Sequence, residues 1–204
     1  MIGHDRRIIG IVLAGGYLTA SLPALAWTPD ELKRLRAGDV VIESRQQPRG
    51  GIVDGSIVVQ APPRLVYTLV ADPQQMQRYS PEIASVKIIE DQDLQKRVRI
   101  RIKQFGLIDE EQEVISTFRP YEQVAWRQVK GRFAHQNGSW QMNAFDKGTL
   151  LHYHLDIDVG THLPGFIVTA FLRTTIPSLL RSVRNQFGPN VWLRPPIFWS
   201  AAMT

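Results

Sequence analysis

Cysteine is absent from all 204 residues. Its absence excludes disulfides, thiol nucleophiles, thiolate metal sites and a lipidated cysteine anchor, so a folded domain here rests on its hydrophobic core. No block of lysines or arginines occurs either; the formal net charge of +5 is spread along the chain. A nucleic-acid footprint needs clustered basic residues, so no nucleic-acid partner is expected. The mild excess is compatible with transient contact with an anionic membrane surface. No apolar run reaches the roughly twenty residues that span a bilayer. Also missing are a serine nucleophile elbow, a phosphate-binding glycine loop, a zinc signature, internal repeats and low-complexity tracts.

What is present begins with a separate leader. Arg6 and Arg7 give a basic start, Ile8 to Leu22 is mostly apolar, Pro23 breaks the run, and Ala24-Leu25-Ala26 places small residues where a signal peptidase reads. The run is too short for a membrane span and has the flanks of a secretory signal. Residues 1–26 are therefore expected to be a signal peptide. Cleavage near Ala26 would leave an exported protein, periplasmic or secreted, that begins at Trp27.

Thr28-Pro29-Asp30-Glu31 combines a capping residue, a first-turn proline and a glutamate three residues after the cap, which predicts a helix with Leu32 and Leu35 on its apolar face. Gly38 is its stop. Asp39 to Ser44 reads as a strand, Gln46 to Gly51 as a loop, and Ile52 to Gln60 as a strand with a bend or bulge at Asp54-Gly55. Pro62-Pro63 then opens a short helix whose apolar positions are Leu65, Val66, Leu69 and Val70. Asp72-Pro73 ends it, and a second short helix or turn runs from Gln74 to Tyr79.

Beyond Pro81 the period becomes two. Val98, Ile100 and Ile102 alternate with Arg97, Arg99, Arg101 and Lys103, and Phe105-Gly106 turns the chain into a return strand from Asp109 to Phe118. If Lys103 faces Asp109, then Arg101 faces Glu111 and Arg99 faces Glu113, so opposite charges line the outer face and set the register. The same register turns Glu110 and Gln112 inward beside Ile102 and Ile100, whereas a one-residue slip would turn them out. Further strands are expected at Tyr121 to Lys130, Gln136 to Ala144 and Thr149 to Val159, with His135 in a polar connection. His152, His154 and Asp156 share one face of the last strand. They are read as solvated side chains and not as a metal site, and no metal or cofactor is expected. Leu163 to Phe187 is a long helix, apolar on nearly every side through Leu172 and carrying Pro177.

Val59-Gln60-Ala61-Pro62, leading into Leu65-Val66-Tyr67 and Leu69-Val70-Ala71-Asp72-Pro73 and followed by Tyr79-Ser80-Pro81-Glu82-Ile83 and Val86, resembles the START-like superfamily. That superfamily, also called SRPBCC, contains polyketide cyclases and dehydrases, lipid-transfer domains and coenzyme-Q-binding proteins. The resemblance implies an α+β helix-grip fold: a curved antiparallel sheet wrapped around a long C-terminal helix, here with an extra N-terminal helix. The chain then divides into the leader (1–26), an N-terminal helix and first strand (27–51), the helix-grip domain (52–187) and an aromatic, proline-rich tail (188–204).

The resemblance also implies a cavity between sheet and terminal helix. Large apolar walls with few polar groups suit a hydrophobic ligand, and the expected lining is Glu110, Gln112, Trp126, Trp140, Met142, Tyr153, Phe166, Ile167, Ala170 and Phe171. The leading reading is an exported protein that binds or transfers a lipid, a sterol or hopanoid, or a quinone. Two alternatives stand beside it. One is a cyclase- or dehydratase-like enzyme using Glu110 or His135 as acid or base. The other is a partner- or membrane-interaction module with a filled core.

Overall fold

The computed structural model describes residues 27–104, 106, 108–160 and 165–188; the expected leader, and the tail beyond Gly188, lie outside the described residues. The side chains at 104, 165–167 and 169–171 lie outside them as well. The elements in chain order are α1 (Pro29–Arg36), β1 (Val41–Gln47), β2 (Gly50–Val59), α2 (Pro63–Ala71), a 3₁₀ turn (Pro73–Gln75), α3 (Met76–Tyr79), β3 (Ile83–Gln92), β4 (Gln95–Gln104), β5 (Ile108–Arg119), β6 (Gln123–Lys130), β7 (His135–Phe145), β8 (Gly148–Asp158) and α4 (Gly165–Asn185). The strands form one unclosed antiparallel sheet in the order β1-β2-β8-β7-β6-β5-β4-β3. This is the α+β helix-grip arrangement, with α1 added at the front. No described helix is long and apolar enough to cross a membrane.

Local chemistry accounts for the helix ends. The Thr28 side chain accepts from the Glu31 N–H while Glu31 reaches back to the Thr28 N–H, a complete capping box. Pro62 and Pro63 open α2, where a missing N–H leaves no bond unmade. The Asp72 carboxylate accepts from the Gln74 N–H at 2.9 Å and so caps the 3₁₀ turn. Pro177 lies inside α4, which runs on through it to Asn185.

The β1–β2 connection is tighter than the sequence suggests. Gln47 pairs with Gly50, so the loop expected over Gln46 to Gly51 is a two-residue turn at Pro48-Arg49. No bulge occurs at Asp54-Gly55, because β2 pairs in unbroken register with β1 and β8. Gly55 serves the approach of α4. A Cβ there would come within 2.8 Å of Leu180 Cδ1 and of Ile42 Cδ1. Across the sheet, Lys103 pairs with Asp109, Arg101 with Glu111 and Arg99 with Glu113, the register implied by charge alternation. The ion pairs themselves include Arg101–Asp109 at 2.7 Å, Arg99–Glu113 at 2.9 Å and Arg97–Glu113 at 2.6 Å. Hydrogen bonds from Arg99 and then Arg97 hold the Glu113 carboxyl below the usual carboxylate range.

Both faces of the β2/β8 region are covered, which is why burial along these strands is nearly continuous instead of alternating. On the concave face α4 packs against β2 and β1, and α2 against β6, β7 and β8. On the convex face Leu35 of α1 joins Val41, Val58 and Leu150, with Trp27 and Phe145 beside them. This cover corrects the reading of His152 as solvated. It is 4% exposed, and its ring meets the Trp27 ring edge-on with centroids 6.3 Å apart. Asp54 Oδ1 lies 3.4 Å from His152 Nε2 and 2.8 Å from His154 Nδ1, while the Ser56 hydroxyl lies 2.9 Å from His152 Nδ1. A donating Nε2–H and an accepting Nδ1 satisfy both His152 contacts. The set has the composition of a nucleophilic triad, yet Ser56 is fully buried and does not line the cavity. Hydrogen bonds from His152 and His154 hold Asp54 well below its usual range, and Asp54 raises His154 above its own.

Two outcomes follow for stability. Leu180 is fully buried between α4 and β2, so Leu180→Ala is expected to cost about 2–5 kcal/mol in denaturant unfolding; a loss under about 1 kcal/mol would contradict this packing. Asp54 has a depressed folded-state pKa, so its contribution is present above its unfolded value and lost as pH falls through the folded one. His154 has a raised folded-state pKa, so its contribution is complete below its unfolded value and lost as pH rises through the folded one. Asp54→Asn is therefore expected to lower the melting temperature most between about pH 4 and 6.5. An equal loss at pH 5 and pH 9 would contradict the pairing.

Candidate functional site

A concave sheet face covered by a single long helix leaves space where the helix does not reach. Here α4 covers the β1/β2 side, and the opening lies over β4 to β8. The cavity volume is about 120 Å³, below the roughly 300–1,000 Å³ of drug-sized sites, so the space as it stands suits a small ring or one end of a longer apolar molecule. Strand alternation supplies most of its wall: Ile100 and Ile102 from β4, Gln112, Val114 and Ser116 from β5, Val124 and Trp126 from β6, Gln136 and Trp140 from β7, and Tyr153 from β8. Val70 of α2, Met76 and Tyr79 of α3, and Thr175, Ile176 and Leu179 of α4 close the other side, with Ser80, Glu82 and Ile83 at the entry to β3.

Aromatic rings organise the centre. Trp140 and Tyr153 have ring centroids 4.5 Å apart, Trp126 lies 5.7 Å from Tyr153, and Tyr79 meets Trp140 edge-on at 6.4 Å. The Trp126 ring lies against Gly138 on the neighbouring strand, where a Cβ would come within 2.3 Å of its Cζ2 atom. Glycine at 138 is thus what lets the indole lie down on the sheet as a wall. Burial pushes both the Tyr79 and Tyr153 phenols up, so they stay protonated and act in this space as hydroxyl groups, not bases. Glu82 accepts a hydrogen bond from the Ser80 hydroxyl at 3.0 Å. No cluster of three metal-ligating side chains occurs among the described residues.

Of the residues singled out from the sequence, Gln112, Trp126, Trp140 and Tyr153 line the cavity together. Met142 is buried in the adjoining core without lining it. Glu110 does turn inward opposite Ile102, but it lies outside the lining and its carboxylate pairs with Arg132 at 3.0 Å. His135 is not in a loop; it opens β7, one position from the inward Gln136, and so faces the convex side, 3.0 Å from Asp156. Phe166, Ile167, Ala170 and Phe171 fall in the first turns of α4, and their side chains lie outside the described residues. The sequence reading missed Ser116, Gln136, Tyr79 and Ile176. Ser116 stands four residues after Gln112 and Gln136 four before Trp140, so even spacing along a strand was the available signal.

Comparison with known proteins places this geometry. Solved structures that share the fold include a STAR-related lipid transfer protein from Xanthomonas axonopodis (13% identity, 72% of this chain and 93% of that one, TM-score 0.65), the lipid transfer and protein localization domain of human StarD13 (13%, 74% and 85%, 0.62), and the Zhui aromatase/cyclase from Streptomyces sp. R1128 (18%, 73% and 96%, 0.56). No curated protein sequence matches the chain. The family model described as polyketide cyclase / dehydrase and lipid transport matches residues 59–184, from the end of β2 almost to the end of α4. That match takes in most of the cavity wall and more than half of the sequence, and the chain belongs to this family.

Proposed function

We propose that this chain is an exported protein that binds or transfers a hydrophobic small molecule: a lipid, a sterol or hopanoid, or a quinone. The observation that carries the reading is the mainly apolar cavity between the concave face of β4 to β8 and the helices α3 and α4. Removing apolar ligand surface from water supplies the binding energy, roughly 25 cal/mol per Å², and the rings of Trp126, Trp140 and Tyr153 offer flat surfaces for it. Lipid-transfer proteins among the structural neighbours support the same reading, and the leader over residues 1–26 is the ground for export. The cyclase alternative finds its acid–base candidates, Glu110 and His135, away from the lining.

Purification from the cell envelope or the medium, followed by terminal sequencing and mass spectrometry of an organic extract, tests both parts. The expected result is a chain beginning at Trp27 that releases a stoichiometric apolar molecule. An intact Met1 would overturn export. An empty protein that also rejects lipids, sterols and quinones would overturn ligand binding.

A further inference from the structure

Among the described residues, three buried side-chain atoms have no hydrogen-bond partner, and all three are glutamine carbonyl oxygens: Oε1 of Gln112, Gln128 and Gln136. They stand on three adjacent strands, β5, β6 and β7. Register places them side by side. Gln128 pairs with the inward-facing Val114, two residues beyond Trp126 on the same face. Gln136 lies two residues before Gly138, which pairs with Trp126. Gln112 lies two residues before Val114, and a Cβ on Gly131 would come within 3.0 Å of the Gln112 Cβ and 3.1 Å of the Gln128 Cδ. The three glutamines thus form a polar row across the concave face, one layer beyond the Trp126 ring. Gln112 and Gln136 line the cavity, whereas Gln128 lies outside its lining, and Gln112 is only 4% exposed.

The orientation of the row is partly fixed. The Gln128 amide N–H donates to the Phe133 carbonyl at 2.9 Å, which leaves its buried Oε1 as the acceptor without a partner. A buried acceptor without a donor is costly, and a bound group that supplies the donor removes that cost. A ketone, quinone or ether oxygen only accepts, so it leaves the acceptors of the row unmet.

We propose that Gln112 and Gln136, with Gln128 beside them in the row, form the head-group end of the cavity and select apolar molecules that carry a hydroxyl group over equally apolar molecules that do not. The inference rests on the reading of the cavity as a hydrophobic-ligand site and narrows its ligand class to hydroxylated ones.

Equilibrium dialysis of the full chain against 2-naphthol, 2-methoxynaphthalene and 2-methylnaphthalene tests it, since these share one ring system and differ in donor, acceptor and neither. The expected result is 2-naphthol bound about tenfold more tightly than the other two, which bind alike. In Gln112→Leu and Gln136→Leu that preference should shrink severalfold while 2-methylnaphthalene binds as well or better. Binding of all three within about twofold would overturn the selection and leave the apolar site standing. A preference that survives in both variants would place hydroxyl recognition elsewhere and overturn the assignment. Failure of all three to bind would overturn both. Should either leucine variant fail to fold, Gln112→Met and Gln136→Met carry the same comparison.

Discussion

One helix cannot cover the concave face of an eight-stranded sheet, and most of this molecule follows from that mismatch. α4 settles on the β1/β2 side, where Gly55 leaves room for Leu180 and Ile176. The short helices α2 and α3 cover part of what remains. Between these helices and the wall of β4 to β8 a small space is left, and it is the cavity. Large rings, Trp126, Trp140, Tyr79 and Tyr153, form part of its lining.

Glycines decide where backbones and rings come together. Gly50 admits the β8 backbone, since a Cβ would come within 1.8 Å of the Ile157 carbonyl oxygen. Gly138 admits the Trp126 ring. The opposite, convex face has its own closure in α1 and Trp27, which bury His152 above Asp54 and Ser56. Polar groups there pair with one another, whereas on the concave face the glutamine row is left with acceptors unmet. That asymmetry separates the paired cluster around Asp54 from the row proposed to meet a ligand.

The parts legible in the sequence were those governed by local chemistry or short-range pairing. The capping box at Thr28, the proline-opened α2, the antiparallel register of Arg99, Arg101 and Lys103 against Glu113, Glu111 and Asp109, and the inward turn of Gln112 were all readable from neighbours. What escaped depended on contacts between distant segments. His152 looks solvated until α1, more than a hundred residues away, is laid over it. Asp54-Gly55 looks like a bulge until Leu180 requires a residue without a side chain. The glutamine row needs the pairing of β5 with β6, including the irregularity between Glu113 and Val114, before Gln128 and Gln136 fall into line with Gln112.

The central claim is that apolar ligands enter the space bounded by Trp126 and Trp140. Indole N–H signals in a titration of the labelled protein with 2-methylnaphthalene address it directly, because Trp27 lies on the opposite face of the sheet. Saturable shifts of the Trp126 and Trp140 signals with Trp27 unmoved are the predicted result. Movement of Trp27 alone, or of none of the three at saturating ligand, would contradict it.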